Sequence, residues 1–227
     1  MKVSNFATRI IAIPMITVEQ LTYNPFQENT FLVYDETNDC IVIDPGMYTS
    51  EERTAFENHV KSKGLNLVKL VSTHSHLDHV FGNAFVAETY NLGLQIHKED
   101  LQTLELFDRT VELYQIPNTQ KPPMPTSYFD EGDKIEFGNS YLDVIFVPGH
   151  APGHVAFVAH EEKFAINGDC LFYGSIGRTD LPGGNHEQLL ESIRTKLFTL
   201  GDDYKIYCGH GPATTIGFEK VNNPFLK

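Results

Sequence analysis

Residues 73–79 read Thr-His-Ser-His-Leu-Asp-His and bring three imidazoles and one carboxylate into seven consecutive positions. His74 and His76 are two residues apart, so on an extended segment their side chains point in the same direction. Asp78 and His79 follow across a turn, where they can present a second pair of ligands to a second ion. One histidine alone is weak evidence of a metal, but four such groups at this spacing predict a metal site.

A predicted strand, the apolar segment 67–72, leads directly into this run. Residues 80–91 then carry apolar side chains at helical spacing, and Gly93 is expected to end that helix. The metal-ligand run therefore lies at the carboxyl end of a strand and just before a helix. Open α/β sheets commonly place their functional sites at this position.

Three further candidate ligands occur singly, each at the end of a predicted strand. His150 ends the sequence Val-Pro-Gly-His, Asp169 ends Asn-Gly-Asp, and His210 lies within Gly-His-Gly. A glycine beside each of them lets the backbone turn sharply and bring the side chain inward without a clash from a neighbouring Cβ. The other five histidines are interpreted as structural residues: His59, His97, His154, His160 and His186.

Groups of strands alternate with helices in both halves of the chain. Thr49 and Glu52 form a capping-box pattern that opens a helix, and Gly64 is expected to end it. The proline-rich residues 117–125 predict a rigid loop, either a connector or a segment flanking the site. The other predicted helices are 98–115 and 185–200, and the other strands are 15–23, 30–34, 40–43, 94–96, 134–137, 141–147, 155–160, 163–166 and 204–208. This repetition favours an α/β fold in which two sheets pack face to face with helices outside.

Composition and charge limit the class of protein. The 227 residues are 41% hydrophobic and 21% charged, which is typical of a globular protein with one large domain. We assign that domain to residues 15–227, and residues 1–14 to an N-terminal extension or a first edge strand. The formal net charge of -13 disfavours a nucleic-acid or anionic-membrane partner, because binding phosphates requires a basic surface.

The cysteines argue against a disulfide framework. Cys40, Cys170 and Cys208 are odd in number, widely spaced and form no C-x-x-C pair. The N-terminal segment lacks the long apolar core and the cleavage signal of a secreted protein, and no stretch approaches the roughly 20 apolar residues of a membrane span. These observations predict a cytoplasmic protein.

Together, these motifs resemble those of the metallo-β-lactamase-fold hydrolases. The resemblance extends over almost the whole chain, from Asp-Pro-Gly at 44–46 through Pro-Gly-His-Ala-Pro-Gly-His at 148–154 to Gly-His-Gly-Pro at 209–212. Within that superfamily the chain looks most like the glyoxalase II (hydroxyacylglutathione hydrolase) group, particularly its short bacterial branch without the C-terminal helical domain. The stretches at 177–184 and 222–226 suggest this branch. The resemblance implies a four-layer αββα sandwich with two mixed sheets.

The resemblance also implies how the ligands divide between two divalent ions. Three histidines would hold the first ion, an aspartate and two histidines the second, and one aspartate would bridge them: His74, His76 and His150; Asp78, His79 and His210; and Asp169. Nitrogen and carboxylate ligands without thiolate suit Zn²⁺, and they equally admit Fe or Mn.

By the same resemblance the reaction is hydrolysis of S-acylglutathione, such as S-lactoylglutathione, or of a related small thioester. Water activated between the ions would attack the carbonyl, and a thiolate would depart. Asp78, Asp169 and Arg178 are the predicted catalytic residues, and Tyr173 and Arg178 are the predicted substrate contacts. A salt bridge with Asp180 is the alternative for Arg178, and simple packing is the alternative for Tyr173. A monomer or a homodimer is expected.

Other functions of the same fold remain open. A persulfide dioxygenase would use a single iron, held by His74, His150 and Asp169. Other superfamily members would cleave esters or lactones. Hydrolysis of β-lactams is disfavoured, because Asp169 takes the place of a cysteine ligand. A binding module with purely structural metals has no need of so complete a ligand set, and the acidic charge opposes a nuclease.

Overall fold

The computed structural model describes residues 15–227, so the extension or edge strand predicted at residues 1–14 lies outside the described residues. The first of two six-stranded sheets consists, in spatial order, of β1 (Thr17–Tyr23), β2 (Glu28–Tyr34), β3 (Asp39–Ile43), β4 (Asn66–Val71), β5 (Leu94–His97) and β6 (Ser127–Phe129). Strands β1 to β3 pair in antiparallel fashion, and β3 to β6 pair in parallel. This sheet is therefore mixed, as predicted.

The second sheet comes from the other half of the chain. Its strands are β7 (Lys134–Phe137), β8 (Ser140–Phe146), β9 (Val155–Ala159), β10 (Phe164–Ile166), β13 (Lys205–Tyr207) and β14 (Thr214–Thr215). The spatial order is β14-β13-β10-β9-β8-β7, and only β10 and β13 are parallel. Between β10 and β13, the short strands β11 (Leu171–Phe172) and β12 (Ser175–Ile176) form a separate hairpin.

Helices cover the outer faces of both sheets. They are α1 (Ser50–Lys63), α2 (Asn83–Tyr90), α3 (Leu101–Glu105), α4 (Phe107–Tyr114), α5 (His186–Thr195) and α6 (Ile216–Asn222). Short 3₁₀ turns lie at Leu77–His79, Lys98–Asp100 and Leu197–Thr199. Within residues 15–227 none of the helices has the length and apolar character that crossing a bilayer requires.

Alternation of side chains along the strands separates the layers. In β2, Phe31 and Val33 point into the space between the sheets, whereas Leu32 points outward to the cluster that contains α1 and α2. In β9, Phe157 points between the sheets and Ala156 points outward to the cluster that contains α5. Three apolar layers thus hold four layers of secondary structure together, which confirms the αββα sandwich.

The start and end of α1 follow the predicted capping signals. The Thr49 hydroxyl accepts a hydrogen bond from the Glu52 amide at 3.1 Å, and the Glu52 carboxylate accepts one from the Thr49 amide at 2.9 Å. Gly64 ends the helix with a φ of +66°, a left-handed conformation that glycine adopts without strain. The sequence pattern alone therefore located both ends of this helix.

Other elements differ from the predictions. The helix predicted at 80–91 begins only at Asn83, because a 3₁₀ turn and a tight loop first place the ligand run. It ends at Tyr90, where Asn91 rather than Gly93 adopts the left-handed cap. The helix predicted at 98–115 is broken into a 3₁₀ turn, α3 and α4. The prediction missed β6, β11, β12, β14 and α6, which are too short to show a clear periodicity.

Removal of a large side chain between the sheets should destabilise the protein strongly. Phe157 is fully buried and packs edge-on against Phe129, with ring centroids 5.5 Å apart. We expect Phe157→Ala to lower the free energy of unfolding by about 3–5 kcal/mol. Met124→Ala, at a side chain that is 57% exposed, should change it by less than about 0.5 kcal/mol. Urea denaturation measures both, and equal effects would contradict this account of the core.

Candidate metal centre

The predicted ligands lie at the carboxyl ends of strands from both sheets. The loops that follow β4, β8, β10 and β13 carry, in turn, residues 74–79, His150, Asp169 and His210. Backbone hydrogen bonds join these loops to one another. The Val155 amide donates to the Thr73 carbonyl at 2.9 Å, and the Gly209 amide donates to the Gly168 carbonyl at 2.7 Å. The sandwich therefore brings all four loops to one edge.

Three imidazoles form the first group. His150 Nε2 lies 2.8 Å from His76 Nδ1 and 3.2 Å from His74 Nε2. The other ring nitrogen of His150 donates a hydrogen bond to the Arg178 carbonyl at 2.7 Å, which leaves the Nε2 lone pair directed at its neighbours. Burial lowers the pKa of His76 to about 3 and the pKa of His74 well below its usual value. These rings are therefore neutral and can donate lone pairs to a metal.

A second group contains a carboxylate. Asp78 Oδ2 lies 3.2 Å from His210 Nε2 and 3.9 Å from His79 Nε2. His210 donates a hydrogen bond from Nδ1 to the Phe26 carbonyl at 3.1 Å, so its Nε2 also faces the centre. Burial opposes a charge on His210, but hydrogen bonds to Asp169 and Asp78 outweigh it and raise its pKa to about 9. The carboxylates here thus attract positive charge, which a divalent ion would supply.

Asp169 contacts both groups. Its Oδ1 lies 3.4 Å from His79 Nε2, and its Oδ2 lies 3.5 Å from both His150 Nε2 and His210 Nε2. Burial opposes ionisation of Asp169, but the charge of His79 and the contacts with His210 and His150 together outweigh it and hold the pKa of this carboxyl well below its usual value. One ionised carboxylate therefore lies between the two sets of imidazoles.

The donor set fits divalent metal ions. His79 Nε2 and Asp169 Oδ1 are buried and have no hydrogen-bond partner among residues 15–227. A buried polar atom without a partner is costly, and a metal ion would satisfy both of these atoms. Groupings with metal-binding geometry include His74 with His76 and His150, and Asp78 with His79 and His210. Imidazole and carboxylate donors suit Zn, Fe and Mn alike.

Asp44 supports the centre from behind and is absent from the predicted site residues. Its carboxylate accepts hydrogen bonds from the Thr73 amide at 2.6 Å, the Thr73 hydroxyl at 2.5 Å and His79 Nδ1 at 3.1 Å. The contact with Nδ1 turns His79 Nε2 toward Asp169. Asp44 has a φ of +50°, a conformation that costs a non-glycine residue energy. In the sequence, the Asp-Pro-Gly turn at 44–46 was the signal that could have indicated this role of Asp44.

His154 also supports the centre, so it does more than shape its own turn. Its Nε2 accepts a hydrogen bond from the Asp169 amide at 3.2 Å, and its ring lies against those of His74 and His150. The other structural histidines lie elsewhere. His97, for example, stacks on Phe146 with ring centroids 4.4 Å apart.

The side chains of the two predicted substrate contacts, Arg178 and Tyr173, contact other residues of the protein. The Arg178 guanidinium forms two hydrogen bonds of 2.7 Å to the Asp180 carboxylate, which is the salt bridge considered as the alternative. Tyr173 does not line the cleft beside the ligands. Its ring stacks on Phe218 at 4.8 Å, and the neighbouring Phe172 faces the cleft instead.

A cleft of about 720 Å³ opens above the two groups of ligands. Its floor contains His76, Asp78, His150, Asp169 and His210. One wall is formed by α3 and α4, and the others are largely apolar, with Phe26, Phe172, Ile176, Leu181 and Pro182. This volume is sufficient for a small-molecule ligand.

Loss of the Asp44 charge should weaken metal binding. Asp44→Asn removes the charged acceptor from His79 and should lower affinity for Zn²⁺ by about 10–100-fold, as is usual when a partner of a metal-binding histidine is changed. Asp39→Asn, at the other end of β3, is the matched control and should leave affinity unchanged. Competition with a chelating dye measures both variants. Equal affinities for Asp44→Asn and the wild type would refute this role.

Comparisons with known proteins agree with this geometry. The family model described as metallo-beta-lactamase superfamily matches residues 23–210. The chain is 38% identical over 215 residues to hydroxyacylglutathione hydrolase GloC of Haemophilus influenzae, covering 93% of this chain and 98% of that protein. The solved BLEG-1 B3 metallo-beta-lactamase superposes with a TM-score of 0.84 at 31% identity, covering 93% of this chain and 100% of that one.

TTHA1623, solved in a di-iron-bound form, superposes with a TM-score of 0.83 at 36% identity, covering 92% of this chain and 100% of the other. The family match spans every predicted metal ligand, from His74 to His210. The predicted likeness to hydroxyacylglutathione hydrolases is confirmed by the relative of that name. On the evidence of its fold, its ligand groups and these matches, the chain belongs to the metallo-β-lactamase superfamily.

Proposed function

We propose that the protein is a metal-dependent hydrolase that cleaves small thioesters, with an S-acylglutathione such as S-lactoylglutathione as its substrate. The observation that carries the proposal is the set of carboxylates and imidazoles that line the cleft. Every carboxylate and imidazole among its described lining residues either belongs to one of the two ligand groups or, in the case of Asp169, contacts both: His76, Asp78, His150, Asp169 and His210. The name of the relative GloC, at 38% identity, supports the glutathione part.

We assign the ligands to two ions. The first ion would be held by His74, His76 and His150, the second by Asp78, His79 and His210, and Asp169 would contact both. The contacts of Asp169 with histidines of both groups, at 3.4–3.5 Å, support this division. Zinc suits these donors, and the di-iron form of TTHA1623 is a reason to test iron equally.

When bound, the two ions supply Lewis acidity and lower the pKa of water. In the proposal, residues of the chain orient the ligands and exclude water. The carbonyl groups of Arg178 and Phe26 fix the orientation of His150 and His210. The apolar walls exclude bulk water from the substrate carbonyl. Since its guanidinium is paired with Asp180, Arg178 acts as a positioning residue through its backbone.

A thioester suits this cleft because of its leaving group. All the carboxylates and imidazoles on the cleft floor are proposed ligands, so none of them is free to protonate a departing group. A thiol has a pKa of about 8.5, so a thiolate departs without a general acid, whereas an amine does not. The cleft therefore favours a substrate with a good leaving group.

Hydrolysis of β-lactams is the second candidate. The BLEG-1 protein, named a B3 metallo-beta-lactamase, is 31% identical and is covered over its full length. This likeness weakens the objection to β-lactam hydrolysis, which was that Asp169 takes the place of a cysteine ligand. A persulfide dioxygenase with one iron remains the alternative outside hydrolysis.

Activity measured on defined metal forms tests the proposal. Protein stripped of metal and reloaded with Zn²⁺, Fe²⁺ or Mn²⁺ should cleave S-lactoylglutathione, and two metal ions should bind per chain. Asp169→Asn should lower kcat/KM by more than about a hundredfold, because changes outside the ligand set alone cost about 10–100-fold. Asp202→Asn is the control, since this exposed carboxylate pairs with Lys220 away from the cleft.

The alternatives give distinct results in the same experiment. Cleavage of a cephalosporin without cleavage of any thioester would replace the proposal with a β-lactamase. One iron per chain with oxygen uptake on glutathione persulfide would replace it with a dioxygenase. Full thioesterase activity in Asp169→Asn would refute the role of the shared carboxylate.

A further inference from the structure

We propose that Arg109 of α4 is the residue that recognises a carboxylate on the substrate, and that the natural thioester is therefore an anion. This inference rests on the proposed function, because it assigns the substrate class of the same cleft.

Apart from the histidines of the ligand groups, the basic side chains that line the cleft among residues 15–227 are two arginines, Arg109 and Arg178. The Arg178 guanidinium is already neutralised by two hydrogen bonds to Asp180. Arg109 is exposed, and among the described residues no carboxylate forms a salt bridge with it. Of the two arginines, Arg109 is therefore the one whose charge no residue of the described part of the chain neutralises through a salt bridge.

The surroundings of Arg109 are those of a ligand-covered surface. Arg109, Thr110 and Leu113 of α4, and Leu106 directly before it, recur at intervals of three or four residues, so they share one face, and all four line the cleft. Leu113 is 74% exposed, and the adjacent Tyr114 is 48% exposed. Apolar side chains left open to water beside a reactive centre indicate a surface that a ligand covers.

Covering this face removes water from the Arg109 guanidinium as well. Loss of water around an unpaired charge is unfavourable unless the ligand brings an opposite charge. A planar carboxylate matches the guanidinium with two parallel hydrogen bonds. A phosphate-rich ligand is less suitable, because Arg109 is the single unpaired arginine in the described lining of the cleft and the chain carries a net charge of -13.

A binding experiment tests this inference independently of hydrolysis. The probe is S-methylglutathione, a thioether that a thioesterase cannot cleave, and the comparison is its dimethyl ester, which lacks both carboxylates and keeps the ammonium group. We expect Arg109→Ala to weaken binding of the diacid by about tenfold, in the range of a hydrogen bond to a charged group. Binding of the diester should not change, and Arg109→Lys should give an intermediate affinity.

The control variant is Arg194→Ala, at an exposed arginine of α5 that does not line the cleft. Its affinity for S-methylglutathione should equal that of the wild type. Thermal melting should show that all three variants remain folded, since both arginines are exposed. In hydrolysis of S-lactoylglutathione, Arg109→Ala should raise KM and leave kcat unchanged, because the carboxylate contact is equal in the ground state and the transition state.

The outcomes separate the two proposals. If no thioester is cleaved, the proposed function fails, and the binding measurements still decide the role of Arg109. The inference is overturned if the wild type does not bind S-methylglutathione, or if Arg109→Ala binds it as tightly as Arg194→Ala does. Stronger, Arg109-dependent binding of S-methyl-coenzyme A would replace the carboxylate with a phosphate.

Discussion

The contact of one buried carboxylate, Asp169, with histidines from both ligand groups is the interaction on which the candidate site depends. Without it, the neutral histidine cluster and the Asp78 cluster would be two separate sites. Asp169 is held in place from the backbone: its amide donates to His154 at 3.2 Å, and the preceding Gly168 has a φ of +49°. The close approach of Thr73 and His154 to Gly168 leaves no room for a Cβ there. The glycine of the Asn-Gly-Asp sequence is thus a steric requirement of the site.

The rest of the fold supplies this edge with rigid supports. Two sheets packed through Phe31, Phe157 and their neighbours direct four strand ends to the same place, and short backbone hydrogen bonds cross-link the loops. Asp44, strained at the end of β3, fixes both Thr73 and His79. The strain is sustained because the surrounding core determines the conformation, which is typical of functional sites. The fold therefore orients the candidate ligands in advance, which would reduce the entropy lost when an ion binds.

Much of the site could be predicted because its signals are local in sequence. The dense run at 73–79 and the glycines beside His150, Asp169 and His210 indicate candidate metal ligands from the sequence alone. The supporting roles of Asp44 and His154 could not be predicted, because they arise from contacts between loops of different sheets. The break between α3 and α4 was missed for a similar reason. The chain turns at Leu106 between the two helices, whereas the apolar periodicity of 98–115 continues across that residue.

The candidate substrate contacts were the hardest part of the site to predict from the sequence. Tyr173 and Arg178 stand near the ligands in sequence, but packing on Phe218 and pairing with Asp180 occupy their side chains. Arg109 is 30 or more residues away in sequence from every predicted ligand. In the folded chain, however, α4 brings it to the cleft. The motifs of the candidate ligands carry little information about the walls that surround the centre.

A crystal structure of the zinc-loaded protein, with anomalous data recorded on both sides of the zinc absorption edge, tests the central claim most directly. The account predicts two anomalous peaks roughly 3.5–4 Å apart. One should lie among His74, His76 and His150, the other among Asp78, His79 and His210, and the Asp169 carboxylate should contact both. A single peak, or two peaks of which only one contacts Asp169, would contradict it.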